Sequence, residues 1–224
     1  MKIKAILTGA TGMVGEGVLH ECLNDPDVEQ VLSISRKPYG LSHPKLREII
    51  HSDFHDLSAI QDQLTGYNAC FFCLGVSSVG MKEPEYRRLT FDLTMHFAQT
   101  VLSRNPDLTF CYVSGTGTDG TGKGKLMWAR VKGQTENALL QLPFQKAYMF
   151  RPGFMHPTKG LKNTLSAYTY ISWLYPVMRR LFPKYVSTLR EMGLSMINAV
   201  RHGYPKRVLE VPDIVALANA KGSA

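Results

Sequence analysis

Three glycines, Gly9, Gly12 and Gly15, stand three apart in TGATGMVG, Thr8 to Gly15, directly after the apolar run IKAILT and ahead of a helix-like stretch. Glycine allows a tight turn and a close backbone approach, and a helix N-terminus turns unpaired N–H groups toward negative charge. Between a strand and a helix, such a loop suits the pyrophosphate of a dinucleotide. Gly9, Gly12 and Gly15 are the candidate contacts. The next apolar run, QVLSIS, ends in Ser35, Arg36 and Lys37, with no Asp or Glu at its tip. An acid there would hold a ribose 2′-hydroxyl, whereas a cation accepts a 2′-phosphate, so these residues predict NADP(H), with NAD less favoured.

A second pair of positions raises a chemical question. Trp128 and Lys132 lie four apart in MWARVKG, on one face of a helix that opens beside a loop rich in glycine and threonine. The ammonium can hold ribose hydroxyls. An indole N–H donates a hydrogen bond but does not ionise usefully, so Trp128 cannot be a general acid; packing in the core is its plainer use.

These residues need a scaffold. IKAILT, QVLSIS, LREII, ACFFCLG, LTFCYVS and KAYMFRPG read as strands, alternating with segments long enough for helices, the clearest over Met13–Leu23, Glu85–Ser103 and Lys125–Leu142. Alternation implies crossover connections, hence an α/β fold with a Rossmann-like, doubly wound parallel sheet. Beyond Arg151 the pattern changes to AYTYISWLYPVMRRLFPKYV, Ala167 to Val186, followed by the helix-like LREMGLSMINAV. The aromatic segment admits three uses: lining a pocket, forming a homodimer face, or lying on a membrane surface with Arg179 and Arg180 reaching headgroups; packing over the cofactor is preferred. One domain, residues 1–224, is expected, with a cofactor-binding core over 1–155 and a small C-terminal substrate-side portion over 156–224.

Composition narrows the partners. Lys and Arg outnumber Asp and Glu by 26 to 18, and the resulting basic balance favours an acidic ligand, but the cations are scattered. Neither zinc spacing nor an RNA-binding aromatic signature is present, so no nucleic acid is expected. No stretch reaches the ~18 apolar residues of a membrane span, and MKIKAILTG reads as a strand rather than a leader. Four cysteines are too few for a disulfide scaffold, which predicts a reducing, cytoplasmic location. Cys70 and Cys73 would point to opposite faces of a strand, which suits packing and not a redox pair. The terminal KGSA is the stretch expected to be disordered. HSDFHD alternates His51, Asp53 and His55, but no convergent ligand from elsewhere in the chain is indicated, so no metal is predicted. GVSSVG misses the nucleophile elbow at Val79. His20, His43, His96, His156 and His202 are isolated, and only His156 falls near the expected site.

Further pieces fall in order: Asp53 after the third strand, CLGVSS after the fourth, YVSGTGT after the fifth, Lys132 on the following helix and RPG after the sixth. Together these resemble the atypical, extended-type short-chain dehydrogenase/reductase superfamily, in its small NAD(P)-binding branch of NmrA-like and NAD-dependent epimerase/dehydratase type. The likeness covers about residues 1 to 155 well and the rest loosely. It implies that Gly9, Thr11, Gly12, Met13, Val14 and Gly15 of the glycine loop bind pyrophosphate, that Asp53 approaches the adenine, that Gly75 lies along the cofactor, and that Pro152 and Gly153 come near the nicotinamide. The family uses a Ser or Thr, a Tyr and a Lys, the last two spaced Y-x-x-x-K. Lys132 matches; Ser114 is the best match for the hydroxyl and Thr116 the second; Trp128 stands in the tyrosine position. The resemblance therefore implies an NADP(H)-binding oxidoreductase-like protein, with hydride transfer to a small carbonyl substrate that the sequence does not name and poor turnover without the phenol. A non-catalytic regulator that senses NADP(H) and acts through a protein partner is the competing reading. A sugar-nucleotide epimerase is weaker, for want of room and of the same tyrosine.

Overall fold

The computed structural model describes residues 2–163 and 174–220; the KGSA terminus and residues 167–173 of the aromatic segment lie outside them. Seven strands form one wholly parallel sheet: β1 (Ile3–Thr8), β2 (Val28–Ser35), β3 (Leu46–Ile50), β4 (Ala69–Phe72), β5 (Thr109–Val113), β6 (Lys146–Arg151) and β9 (Val208–Glu210), in the order β3-β2-β1-β4-β5-β6-β9. The order reverses between β2-β1 and β4, which opens a crevice at the carboxyl ends of those strands, the standard place for a ligand in an open α/β sheet. Two short strands, β7 (Phe154–His156) and β8 (Val186–Thr188), pair in parallel beside it.

The central strands β1, β4 and β5 are buried almost throughout because both faces of the sheet are covered there, whereas the edge strand β3 buries only Ile49. On one side Ala5, Leu7 and Phe71 pack with Val18, Leu19 and Cys22 of α1 (Met13–Asn24) and with Met192 and Met196 of a later helix, Leu189–Arg201. On the other, Ile6, Cys70 and Phe72 meet Phe97 and Phe110, with Phe72 and Phe97 ring centres 5.3 Å apart. Cys70 thus joins one layer, while Cys73 packs against the other.

The helix expected over Glu85–Ser103 runs from Glu83 to Arg104 as α2 (Glu83–Arg87), a wide π turn (Arg88–Asp92) and α3 (Leu93–Arg104). Pro84 lies in its first turn, where a missing N–H costs nothing. Asn105 closes it: the side-chain oxygen accepts from the Gly66 and Tyr67 amides, each at 2.9 Å. The helix carrying Trp128 and Lys132 is α4 (Met127–Gln141). The C-terminal portion adds α5 (Tyr175–Leu181), α6 (Leu189–Arg201) and α7 (Val211–Ala218). It also supplies β9, a seventh strand in the main sheet that the sequence did not announce.

Candidate functional site

The glycine loop leaves β1 and enters α1 through two close approaches. A methyl group on Gly15 would fall 2.1 Å from the Gly9 carbonyl oxygen, and one on Gly9, whose φ is +76°, would fall 2.7 Å from the Cys73 oxygen. Both glycines are therefore fixed by the fold itself. Gly12 differs. A methyl there would meet only the Gly9 oxygen, at 3.5 Å, so internal packing does not require glycine at this exposed helix cap. No side chain caps α1, which leaves its first amides open to an anion. This cradle fits a pyrophosphate, and Gly12 is where a methyl would stand in the way.

Two cavities open beyond the carboxyl end of β2. The first, about 520 Å³, is lined by Arg36 from the tip of β2, Asp53 and Phe54 from the loop after β3, Gly75 after β4, and Leu89 and Leu93 from the π turn and α3. Its mostly apolar walls, with one carboxylate on the rim, suit a flat heterocycle such as adenine. The second, about 910 Å³, joins Thr11, Arg36, Lys37, Pro38 and Asn163. Arg36 belongs to both. Ser35 is placed differently from the expectation that it would face the ligand: it is buried, and its hydroxyl donates to the Lys37 carbonyl at 2.6 Å, shaping the turn that presents the two cations. The Asp53 carboxylate accepts from the His55 amide at 2.9 Å, and His51 Nε2 contacts the carbonyl oxygens of Asp53 and Asp56, each at 2.7 Å.

At the carboxyl ends of β5 and β6 the structure gathers Ser114, Thr116, Lys132, Pro152 and Gly153 around two residues the sequence reading missed, Glu136 and Arg151. Lys132 is half-buried and donates to the Ser114 carbonyl at 2.6 Å. Burial pulls its pKa down to about 8, opposed by the attraction of Glu136. Glu136, only 1% exposed, takes a two-pronged bond from Arg151, with Nε to Oε1 at 3.0 Å and Nη2 to Oε2 at 2.5 Å. Arg151 also reaches Glu210 at 3.1 Å. This corrects the expected role of Ser114. Its hydroxyl is buried and donates to Glu136 at 2.5 Å, so it faces the interior instead of a substrate. Thr116, half-buried, donates to the Arg151 carbonyl at 3.1 Å while its amide donates to Pro152 O at 2.9 Å. Gly153 is demanded by strand pairing: a methyl there would lie 2.3 Å from the Tyr185 oxygen.

Trp128 is half-buried at the start of α4, its six-membered ring lying against Gly117 of the loop after β5. It braces that loop and is not sunk in the core. His156 stacks on Tyr175 with ring centres 4.2 Å apart, and burial lowers its pKa. Glu136 carried a signal that went unread: it lies four residues after Lys132, on the same face of the helix.

Comparison with known proteins places this geometry among relatives. Residues 5–133 match the model of the NAD dependent epimerase/dehydratase family. The chain is 24% identical over 170 residues to Protein FMP52-1, mitochondrial, of Scheffersomyces stipitis, covering 73% of this chain and 74% of that one. It is 28% identical over 156 residues to Protein fmp52, mitochondrial, of Emericella nidulans, covering 66% and 65%. Among solved structures, MoeE5 in complex with UDP-glucose and NAD superposes with a TM-score of 0.64 at 15% identity, over 96% of this chain and 80% of the other, a likeness of fold. The expected cytoplasmic location is overturned by the relatives named mitochondrial. Its basis was the low cysteine count, which argues against an oxidising compartment but does not separate one reducing compartment from another.

Proposed function

The chain belongs to the NAD dependent epimerase/dehydratase family and is a nucleotide-binding, oxidoreductase-like protein; from that premise we propose that it prefers NADP(H) and that its chemistry is hydride transfer with a small carbonyl compound. The observation that carries the preference is Arg36. It lines the cavity beside Asp53 and Gly75 as well as the basin with Thr11 and Lys37, and no acid stands at the end of β2. A 2′-phosphate between those spaces would meet two cations, while a bare ribose would find no carboxylate.

NADP(H), when bound, supplies the hydride. The protein's part is to hold and orient. Gly12 and the open amides of α1 take the pyrophosphate, Gly75 and Asp53 flank the adenine end, and Pro152 and Gly153 bound the far end. Lys132 spends one of its three N–H donors on the Ser114 carbonyl and keeps two for ribose hydroxyls. Thr116, half-buried, is the hydroxyl offered to a carbonyl oxygen, in exchange for its bond to Arg151 O. With Trp128 in the tyrosine position, the proton comes from water, and the usual 10²- to 10⁴-fold assistance of a general acid is lost.

Calorimetric titration tests the preference. Arg36→Glu replaces a charge-assisted bond with repulsion and should weaken NADPH at least ~10-fold, with a smaller effect on NADH; equal NADPH affinity for both proteins removes the assignment.

A second reading, a sensor of NADP(H) that signals through a protein partner, is favoured by one specific observation. The positions that carry the family's phenol and first hydroxyl are unsuitable or engaged: Trp128 cannot ionise, and the Ser114 hydroxyl is bonded to Glu136. A panel of small aldehydes and ketones with NADPH, run on the natural protein and on Trp128→Tyr, separates the two. Turnover by the natural protein defeats the sensor; turnover by the variant alone defeats the enzyme.

A further inference from the structure

The proposed cofactor site has a wall that the glycine motif does not contain. Glu16 follows Gly15 in the first turn of α1 and is 1% exposed. Its Oε1 accepts from the Tyr39 hydroxyl and from the Lys162 amide, each at 2.8 Å, and its Oε2 accepts from the Asn163 amide at 2.6 Å. The Lys162 ammonium lies 5.7 Å from the centre of the Tyr39 ring. Burial and the adjacent Glu16 carboxylate push the Tyr39 phenol up to about 12, so it remains a donor throughout the neutral range.

A bare carboxylate one residue beyond the glycine loop would repel the phosphates that the loop is shaped to receive. Here three donors satisfy its oxygens and turn them away from the loop toward Tyr39, Lys162 and Asn163. Charge-assisted bonds from two successive amides are strong and directional, so Glu16 fixes Lys162 and Asn163, from the C-terminal portion, against the N-terminus of α1. Asn163 then shares one basin with Thr11, Arg36, Lys37 and Pro38. Among the described residues no acidic side chain lines that basin, and an asparagine amide carries two N–H donors.

Resting on the reading that the chain binds NADP(H), we propose that Asn163 is a further ligand of the cofactor's 2′-phosphate and that Glu16 is the positioning residue that holds it there. Selectivity for NADP(H) is thus shared between the tip of β2 and a segment about 125 residues further along the chain, outside the span that the family's motifs cover.

The test is titration of NADPH and of NADH into the natural protein, Asn163→Ala and Glu16→Gln, with thermal melts to confirm that each folds. Asn163→Ala alters a partly exposed side chain and should fold normally. It should weaken NADPH about 10-fold and leave NADH within about twofold of the natural value. Glu16→Gln exchanges one acceptor oxygen for a donor facing the Asn163 or Lys162 amide, and should lower the NADPH-to-NADH preference in the same direction. Unchanged NADPH affinity in Asn163→Ala, or an equal loss for both nucleotides, overturns the assignment while the cofactor reading stands. Failure of the natural protein to bind either nucleotide overturns both.

Discussion

Lys132 shows how one residue was legible in type and position but not in state. Its spacing from Trp128, its place after the glycine–threonine loop and Glu136 one turn on are in the sequence; its burial and its bond to Ser114 O are not. Folding lowers its pKa from the ordinary 10.5 to about 8. Below pH 8 the folded and unfolded forms both carry the proton, and only the folded form bears the cost of a partly desolvated ammonium. Between about 8 and 10.5 unfolding takes up a proton, so this group's contribution to stability rises with pH across that window. Lys132→Met abolishes the effect. Urea unfolding should show the natural protein gaining about 1 kcal/mol on the variant from pH 7.5 to 10, a figure reduced by water around a half-buried group; a constant difference across that range would refute it. Ser114 was misjudged for a related reason. A serine after β5 reads as an available hydroxyl until Glu136, 22 residues away, is seen to accept from it. Pairings of that span have no signature in spacing.

At the scale of elements, the central strands were readable because parallel strands covered on both faces read as near-continuous apolar runs, and the edge strand β3 by its short run around Ile49. The three-residue strands β7, β8 and β9 were not, since so short a run acquires its conformation from its partner. The π turn at Arg88–Asp92 was equally silent, although Leu89 and Leu93 beside it line the adenine-side cavity. The loop between β5 and α4 shows how elements hold the site. The Asp119 amide donates to the Ala129 carbonyl at 3.0 Å, and its carboxylate accepts from the Gly124 amide at 2.6 Å, tying the loop onto α4. The approach is so close that a methyl on Gly133 would fall 1.8 Å from the Asp119 oxygen. Gly133→Ala must therefore push the loop off the helix beside Lys132. We expect a loss of about 2 to 4 kcal/mol in denaturant unfolding together with weakened NADPH binding. Gly75→Ala is the control: its methyl meets nothing within 4 Å, so stability should stay within about 0.5 kcal/mol of the natural protein.

For the whole molecule, α1 is where the two parts of the chain meet. Its N-terminus carries the glycine loop, its first turn carries Glu16, and its middle lies against α6, where a methyl on Gly193 would fall 2.6 Å from the Glu21 side chain. The C-terminal portion also places β9 beside β6 and Glu210 on Arg151. A site assembled from both parts couples ligand binding to unfolding of the entire domain, and not to a local opening. NADPH at 100 times its dissociation constant should then add about 2.7 kcal/mol, raising the melting temperature by about 5 to 10 °C in a domain of this size. NADH at the same concentration should give a smaller rise, in proportion to its weaker binding. The shape of the transition is as informative as its midpoint. If the C-terminal portion only leaned on an independent core, calorimetry would resolve two transitions, and the nucleotide would move one alone. A single transition, displaced as a unit, is what the packing of α1 against α6 and the Glu16 clamp require.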